Sequence, residues 1–183
     1  MGDPAESLAG FLYQKRKNLS NRWFESIAHS YPPDSSKFLR REKDRFANPV
    51  GLSISEGVEA IIDSLLEGRP ATETVDPLDK ILRIRAVQDF TPAQAVAFVF
   101  SLKGIVREMA DREAGELDLA GDLAALERWI DELALVAFNV YMKCREEIFE
   151  IRVQEMHNRT SRIVDRLNRI YEKPGPDQDR TEA

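Results

Sequence analysis

A chain of 183 residues with 43% apolar side chains suits one domain with a real core and an appendage. Its net charge of −6 and isoelectric point near 5.1 argue against general affinity for nucleic acid phosphate or an acidic membrane. The longest apolar run, 93–102, is broken by Gln94 and falls well short of the ~20 residues that span a bilayer. The single cysteine, Cys144, excludes an internal disulfide and a cysteine-based metal site. With an acidic start where a signal peptide is basic and then apolar, it makes the cytoplasm the expected compartment.

Helix starts recur here as one device, an acceptor side chain followed by proline at the first helical position. Asp3-Pro4-Ala5-Glu6, Asp76-Pro77-Leu78-Asp79 and Thr91-Pro92-Ala93-Gln94 each add a polar group at the third helical position; Asn48-Pro49 is a less clean example. From Asp3 the first helix carries Leu8, Phe11, Leu12, Leu19, Trp23, Phe24 and Ile27, with 14–18 as a solvated face, and Tyr31-Pro32-Pro33 ends it. A short helix over 36–46 turns Phe38, Leu39 and Phe46 inward. After Asn48-Pro49-Val50-Gly51 the next helix spans about 53–67, apolar at Ile54, Val58, Ile61, Ile62, Leu65 and Leu66, and Gly68-Arg69-Pro70 stops it.

Residues 71–75 read as a polar connector with no packing of its own. Asp76 starts a helix through Leu78, Ile81, Leu82 and Ile84 to about Val87, and a turn at Asp89-Phe90 leads into Thr91-Pro92. The segment 93–109 is the most uniformly apolar. Periodicity alone leaves strand and helix open there, and the capping box in front decides for helix. An acidic loop, 111–118, precedes a final helix from about Asp122 to about Ile170, free of proline and glycine. At 1.5 Å per residue it is ~75 Å long, more than one small domain covers. Leu123, Leu126, Ile130, Leu133, Ala137, Val140 and Cys144 form its core stripe. Phe149, Val153, Met156, Thr160, Ile163, Leu167 and Ile170 form a second stripe, shifted in phase between 144 and 149, that reads as a dimer or partner arm. The expected organisation is all-α: a helical domain over 1–148, an arm over 149–171 and a disordered tail over 172–183.

Catalytic constellations are nearly absent. His29 and His157 lie far apart, no glycine-rich phosphate loop occurs, and Cys144 reads as a small buried hydrophobe. His157-Asn158-Arg159-Thr160 departs from the phosphoacceptor pattern of sensor histidine kinases at Asn158 and Ser161, which leaves a solvated histidine. No nucleophile, base and orienter assemble, so the expectation is a non-enzyme without cofactor or metal. Two polar clusters stand in apolar contexts: Arg83, Arg85, Gln88, Asp89 and Gln94, and Tyr141, Lys143, Arg145 and Glu146. Such groups either satisfy one another or face a ligand or second subunit.

At these residues the chain resembles a known family. The blocks Phe46 to Gly51, Arg83 to Phe98, and Ile130 to Leu135 with Tyr141 to Glu146 are similar to the N-terminal domain family of the RsbR/RsbRD stressosome co-antagonist proteins, over roughly 5–158. The resemblance implies a dimeric sensory module, a globin-like bundle of about six helices without haem, passing a signal through its C-terminal helix. Family proteins usually continue into a STAS domain or kinase core; this sequence stops soon after the arm, which points to action in trans on a helical partner or as a homodimeric adaptor. The functional expectation is a regulatory input domain pairing through Phe149, Val153, Met156, Ile163, Leu167 and Ile170. The alternatives are a binder of an anionic metabolite, with Arg83, Arg85, Gln88, Asp89, Gln94, Tyr141 and Arg145 at its ligand site, and an adaptor for a sensor kinase.

Overall fold

Capping and apolar spacing resolve into seven α-helices in a computed structural model, which describes residues 8–41, 47–113 and 120–171. They are α1 (Leu8–Gln14), α2 (Arg16–His29), α3 (Pro33–Arg41), α4 (Pro49–Leu66), α5 (Val75–Val87), α6 (Pro92–Glu113) and α7 (Ala120–Tyr171). No strand occurs among the described residues. The Asp3-Pro4 start, Phe46, the loop beyond Glu113 and the tail lie outside them. The chain divides into two compact units, residues 1–145 and residues 146–183.

In the first unit the expected first helix is two helices. Lys15, at φ −99° and ψ 9°, shares its N–H between Phe11 O (3.2 Å) and Leu12 O (3.1 Å), and this tightened turn lets α1 pack separately on α2 and α4. Trp23, fully buried on α2, stacks on Phe98 at 5.9 Å and donates from Nε1 to Phe98 O (2.9 Å), fixing α2 against α6. On α3 Leu39 is buried as expected, but Phe38 is 51% exposed. That helix begins at Pro33, and Ser36, Leu39 and Arg40 share its inner side, which leaves Phe38 turned away.

Asn48, expected as a less clean start, caps α4 with its side chain. Its Oδ1 accepts from Gly51 N (2.8 Å) and its Nδ2 donates to Leu39 O (3.1 Å), so one side chain starts α4 at Pro49, four residues earlier than expected, and ties it to α3. A Cβ on residue 51 would fall 2.2 Å from Asn48 Nδ2, so glycine belongs there. At the far end Gly68 adopts φ 68°, its N–H reaches Leu65 O (3.1 Å), and Arg69 N–H reaches Ser64 O (2.9 Å), closing a Schellman motif.

The segment after it is no loose connector. Residues Ala71–Thr74 form a 3₁₀ turn in which Ala71 and Thr74 are fully buried, and Thr74 Oγ1 donates to Ala71 O (2.6 Å). The turn runs straight into α5 at Val75, so Asp76 sits inside the first turn, near the helix's positive end, instead of capping it. The Thr91 start of α6 is a reciprocal capping box: Thr91 Oγ1 accepts from Gln94 N (3.3 Å) and Gln94 Oε1 from Thr91 N (3.0 Å). The apolar segment is helical, with Ala95, Val99, Leu102, Val106 and Met109 fully buried.

Helix α7 buries Leu126, Ile130, Leu133, Ala137, Val140 and Cys144 within the first unit, and Leu123 partly. Asp122 accepts from Leu8 N (3.0 Å), Trp129 Nε1 donates to Arg69 O (2.8 Å), and Lys103 pairs with Asp131 (2.6 Å). The same stretch also exposes apolar side chains at Leu135, Phe138 and Met142. Leu135 and Met142 precede Phe149 at seven-residue intervals. In sequence register, therefore, the second stripe has begun before the first one ends at Cys144.

Gly57 lets α4 approach α5: a Cβ there would meet Ile81 Cγ1 and Pro77 O at 2.9 Å, whereas one on Gly104 meets nothing within 4 Å. Gly104→Ala should stabilise the fold by up to ~1 kcal/mol in urea titration, while Gly57→Ala should destabilise it by about 1–3 kcal/mol. Arg16 and Asp63 join α2 to α4 through two hydrogen bonds of 2.5 and 2.7 Å. The hydrogen bond from Arg16 holds the Asp63 carboxyl below its ordinary range, against the opposing effect of burial. A depressed folded pKa contributes stability above the unfolded value of ~3.9, lost as pH falls through the folded one. Asp63→Asn should flatten the acid limb of the stability curve; at this half-exposed pair the loss at neutral pH should stay below ~1 kcal/mol.

Candidate functional site

The sequence places one polar cluster at the α5–α6 turn and the other on α7, and the fold brings parts of them together. Arg85 ends α5 fully buried. Its guanidinium carbon lies 5.4 Å from the ring centre of Tyr31, 4.9 Å from Phe90 and 5.0 Å from Phe98. Nη1 donates to Gln94 O (3.0 Å) and Nη2 to Ser30 Oγ (2.7 Å). Among the described residues no carboxylate pairs with it. Burial pushes its pKa below the usual arginine range, but a guanidinium stays charged at neutral pH. The rings supply the compensation, since a desolvated cation over an aromatic face gains ~2 kcal/mol or more. Arg85 Nε and Tyr31 Oη are both buried without a hydrogen bond of ordinary geometry. Burial raises the Tyr31 pKa, and the nearby Arg85 charge partly offsets it.

Around the outside of the same turn, α7 closes the assembly. Phe90 N–H bonds to Arg85 O (3.3 Å) across Asp89, which adopts φ 56°. This is a Schellman closure with aspartate where glycine is usual. The left-handed backbone costs an aspartate less than most residues, and its carboxylate accepts from Arg145 Nη1 (3.0 Å). Arg145 Nη1 also reaches Ala86 O (3.2 Å), and the buried Tyr141 hydroxyl donates to Phe90 O. Two α7 side chains one helical turn apart thus hold three groups of the turn.

The remaining expected site residues do not join. Arg83 points outward to Asp79 (2.9 and 3.0 Å), which it holds below its ordinary pKa. Gln88 is exposed at the end of α5, and the Gln94 side chain is occupied by its capping box. Lys143 and Glu146 are exposed, and Cys144, 1% exposed, lies 3.5 Å from Asp79 Oδ1. Of the proposed arm, Phe149, Met156, Ile163 and Leu167 are exposed, Val153 is half-buried, and the Ile170 side chain lies outside the described residues. Tyr31, Ser30, Phe90 and Phe98 are the residues that sequence reasoning missed as partners of Arg85. Tyr31-Pro32-Pro33 was legible only as a helix end.

Among the described residues no group of histidine, cysteine and carboxylate side chains could hold a metal ion, and no helix is long and apolar enough to cross a membrane. A cleft of about 510 Å³ lies between α2, α3 and α4, lined by Phe24, Arg40 and Glu59 among others; Arg85 and Tyr141 are not in its lining. If the Arg85 cluster is structural packing, Arg85→Ala should cost about 2–5 kcal/mol in urea denaturation through the cavity it leaves. Arg85→Met, which fills the space without a charge, should cost less than ~1.5 kcal/mol.

Residues 17–156 match the model of the RsbT co-antagonist protein rsbRD N-terminal domain. An uncharacterized protein of Archaeoglobus fulgidus is 35% identical over 148 residues, 76% of this chain and 83% of that protein. No solved structure matches. The matched span takes in the Asn48 cap, the Arg85 box and the Tyr141–Arg145 clasp, and the chain belongs to the RsbRD N-terminal domain family.

Proposed function

We propose that the chain is a non-enzymatic, cytoplasmic regulatory input domain of the stressosome co-antagonist type, homodimeric through α7, with the signal leaving along that helix. Family membership supports the regulatory role. The observation that carries the outlet is the apolar stripe of α7: Phe149, Met156, Ile163 and Leu167 are 67%, 69%, 55% and 47% exposed. Side chains of that size at heptad spacing are normally covered by a second helix, and three isolated heptads are marginal in water. In this reading residues 1–148 receive the signal and 149–171 deliver it. The globin-like character of the bundle rests on the family resemblance alone.

A second reading has its own support. Arg85 Nε and Tyr31 Oη are buried without a hydrogen bond of ordinary geometry, and a small anionic metabolite reaching them after a local opening would accept from both. Thermal-shift screening with small anions tests it: a stabiliser whose effect Arg85→Met abolishes would favour this reading over the first. An adaptor for a sensor kinase is the variant of the leading reading in which the helical partner is a kinase.

For the leading reading the measurement is sedimentation equilibrium. The full chain should be a dimer at micromolar concentration, and a chain ending at Arg145 should keep its helical signal while shifting to monomer. A full chain that is monomeric with α7 intact would sink the dimer part.

A further inference from the structure

The second unit carries a feature that dimerisation leaves unexplained. Over 156–169 the helix holds Arg159, Arg162, Arg166 and Arg169 against one acid, Asp165, a local charge of +3 in a chain whose net charge is −6. The spacing of three, four and three residues puts all four on one side of the helix. With Val153, Thr160 and Leu167 at a and Phe149, Met156 and Ile163 at d, Arg159 and Arg166 fall at g and Arg162 and Arg169 at c, in a band along one flank of the apolar stripe. The other flank is uncharged at His157, Ser161, Val164 and Asn168. All four arginines are exposed, and none is in an ion pair among the described residues. Glu155 stands at c just before the row, and it lines one open groove together with Asn158, Arg159, Arg162, Ile163 and Arg166.

A second copy does not answer this charge. In a parallel pair each g residue faces the e residue five positions on, so Arg159 meets Val164 of the copy. In an antiparallel pair g faces g, and the arginine rows oppose each other. A membrane surface is a poorer match as well, since a helix lying in a bilayer interface carries basic side chains at both edges of its apolar face. Nucleic acid phosphate would answer the arginines and leave the adjoining apolar stripe without a role. A helix with an apolar seam and a flanking row of carboxylates answers both, because charges at e and g choose the partner in paired helices.

We propose that the row Arg159, Arg162, Arg166 and Arg169 docks an acidic amphipathic helix of a partner protein, beside or in place of the copy seated on the apolar stripe. The proposal rests on the regulatory reading of α7 and names the chemistry of its partner. Guanidinium–carboxylate pairing, forked and salt-sensitive, fixes register, while the seam supplies apolar contact.

The test uses the full chain and two synthetic helical peptides of about four heptads, with Leu at a and d and either Glu or Lys at every e and g, in fluorescence anisotropy. Like charges keep each peptide from pairing with itself. The Glu peptide should bind at least about ten-fold more tightly than the Lys peptide, with affinity falling as salt rises. Arg159→Glu with Arg166→Glu should abolish that preference without changing helicity or sedimentation. Equal affinity for the two peptides, no binding of the Glu peptide, or tighter capture by phosphatidylglycerol vesicles or a short DNA duplex would overturn the proposal. A monomeric chain that still prefers the Glu peptide would sink the dimer reading alone, and an intact dimer without the preference would sink the docking proposal alone.

Discussion

A guanidinium shut away from water, with no carboxylate among the described residues to meet it, is the constraint on which the fold of the first unit turns. Removing a cation from water is costly, and among the described residues Arg85 has three rings, two hydrogen bonds and its own helix end to set against that cost. Those partners come from the end of α2, the α5–α6 turn and the start of α6. The three must therefore be in place together or the charge is left bare. Hydrophobic contact accepts many arrangements of similar area; a buried fork of fixed donors accepts few. The Asn48 side chain plays the same part at smaller scale, joining α3 to α4 with one acceptor and one donor.

The outer half of the turn joins the Arg85 box to α7. The Asp89 backbone is held in a left-handed conformation that presents its carboxylate to Arg145 and the Phe90 carbonyl to Tyr141. The interior of the first unit and α7 thus contact the α5–α6 turn from opposite sides. Any change that reorders the end of α5 alters both sets of hydrogen bonds at once, with no separate transmitting element. Coupling of this kind needs two arrangements of the turn.

Periodicity and capping made much of this legible. The long final helix, the buried α6 and the Gly68 stop follow from local rules that tertiary contacts did not override. The misreadings share a cause. Residues 71–74 are polar by composition, yet Thr74 is buried because its hydroxyl bonds to its own turn, and Phe38 is apolar yet exposed because Ser36, Leu39 and Arg40 take the inner side of α3. Arg85 was singled out for standing where charge is rare, but its partners lie up to 55 residues away in sequence, and no local pattern announces such a meeting. The overlap of the two apolar stripes was equally hidden, because Leu135 and Met142 look like ordinary members of a core helix until their exposure is known.

Tyr141 and Arg145 stand four residues apart on α7 and both grip the same turn. Two anchors separated along an axis resist rotation about it far more than one does, since any twist must slide both contacts sideways together. Bending that leaves the two contacts in place meets no such resistance. Mechanically, then, the clasp adds torsional resistance at residues 86–90 to the hold that the buried stripe from Leu126 to Cys144 already has on α7.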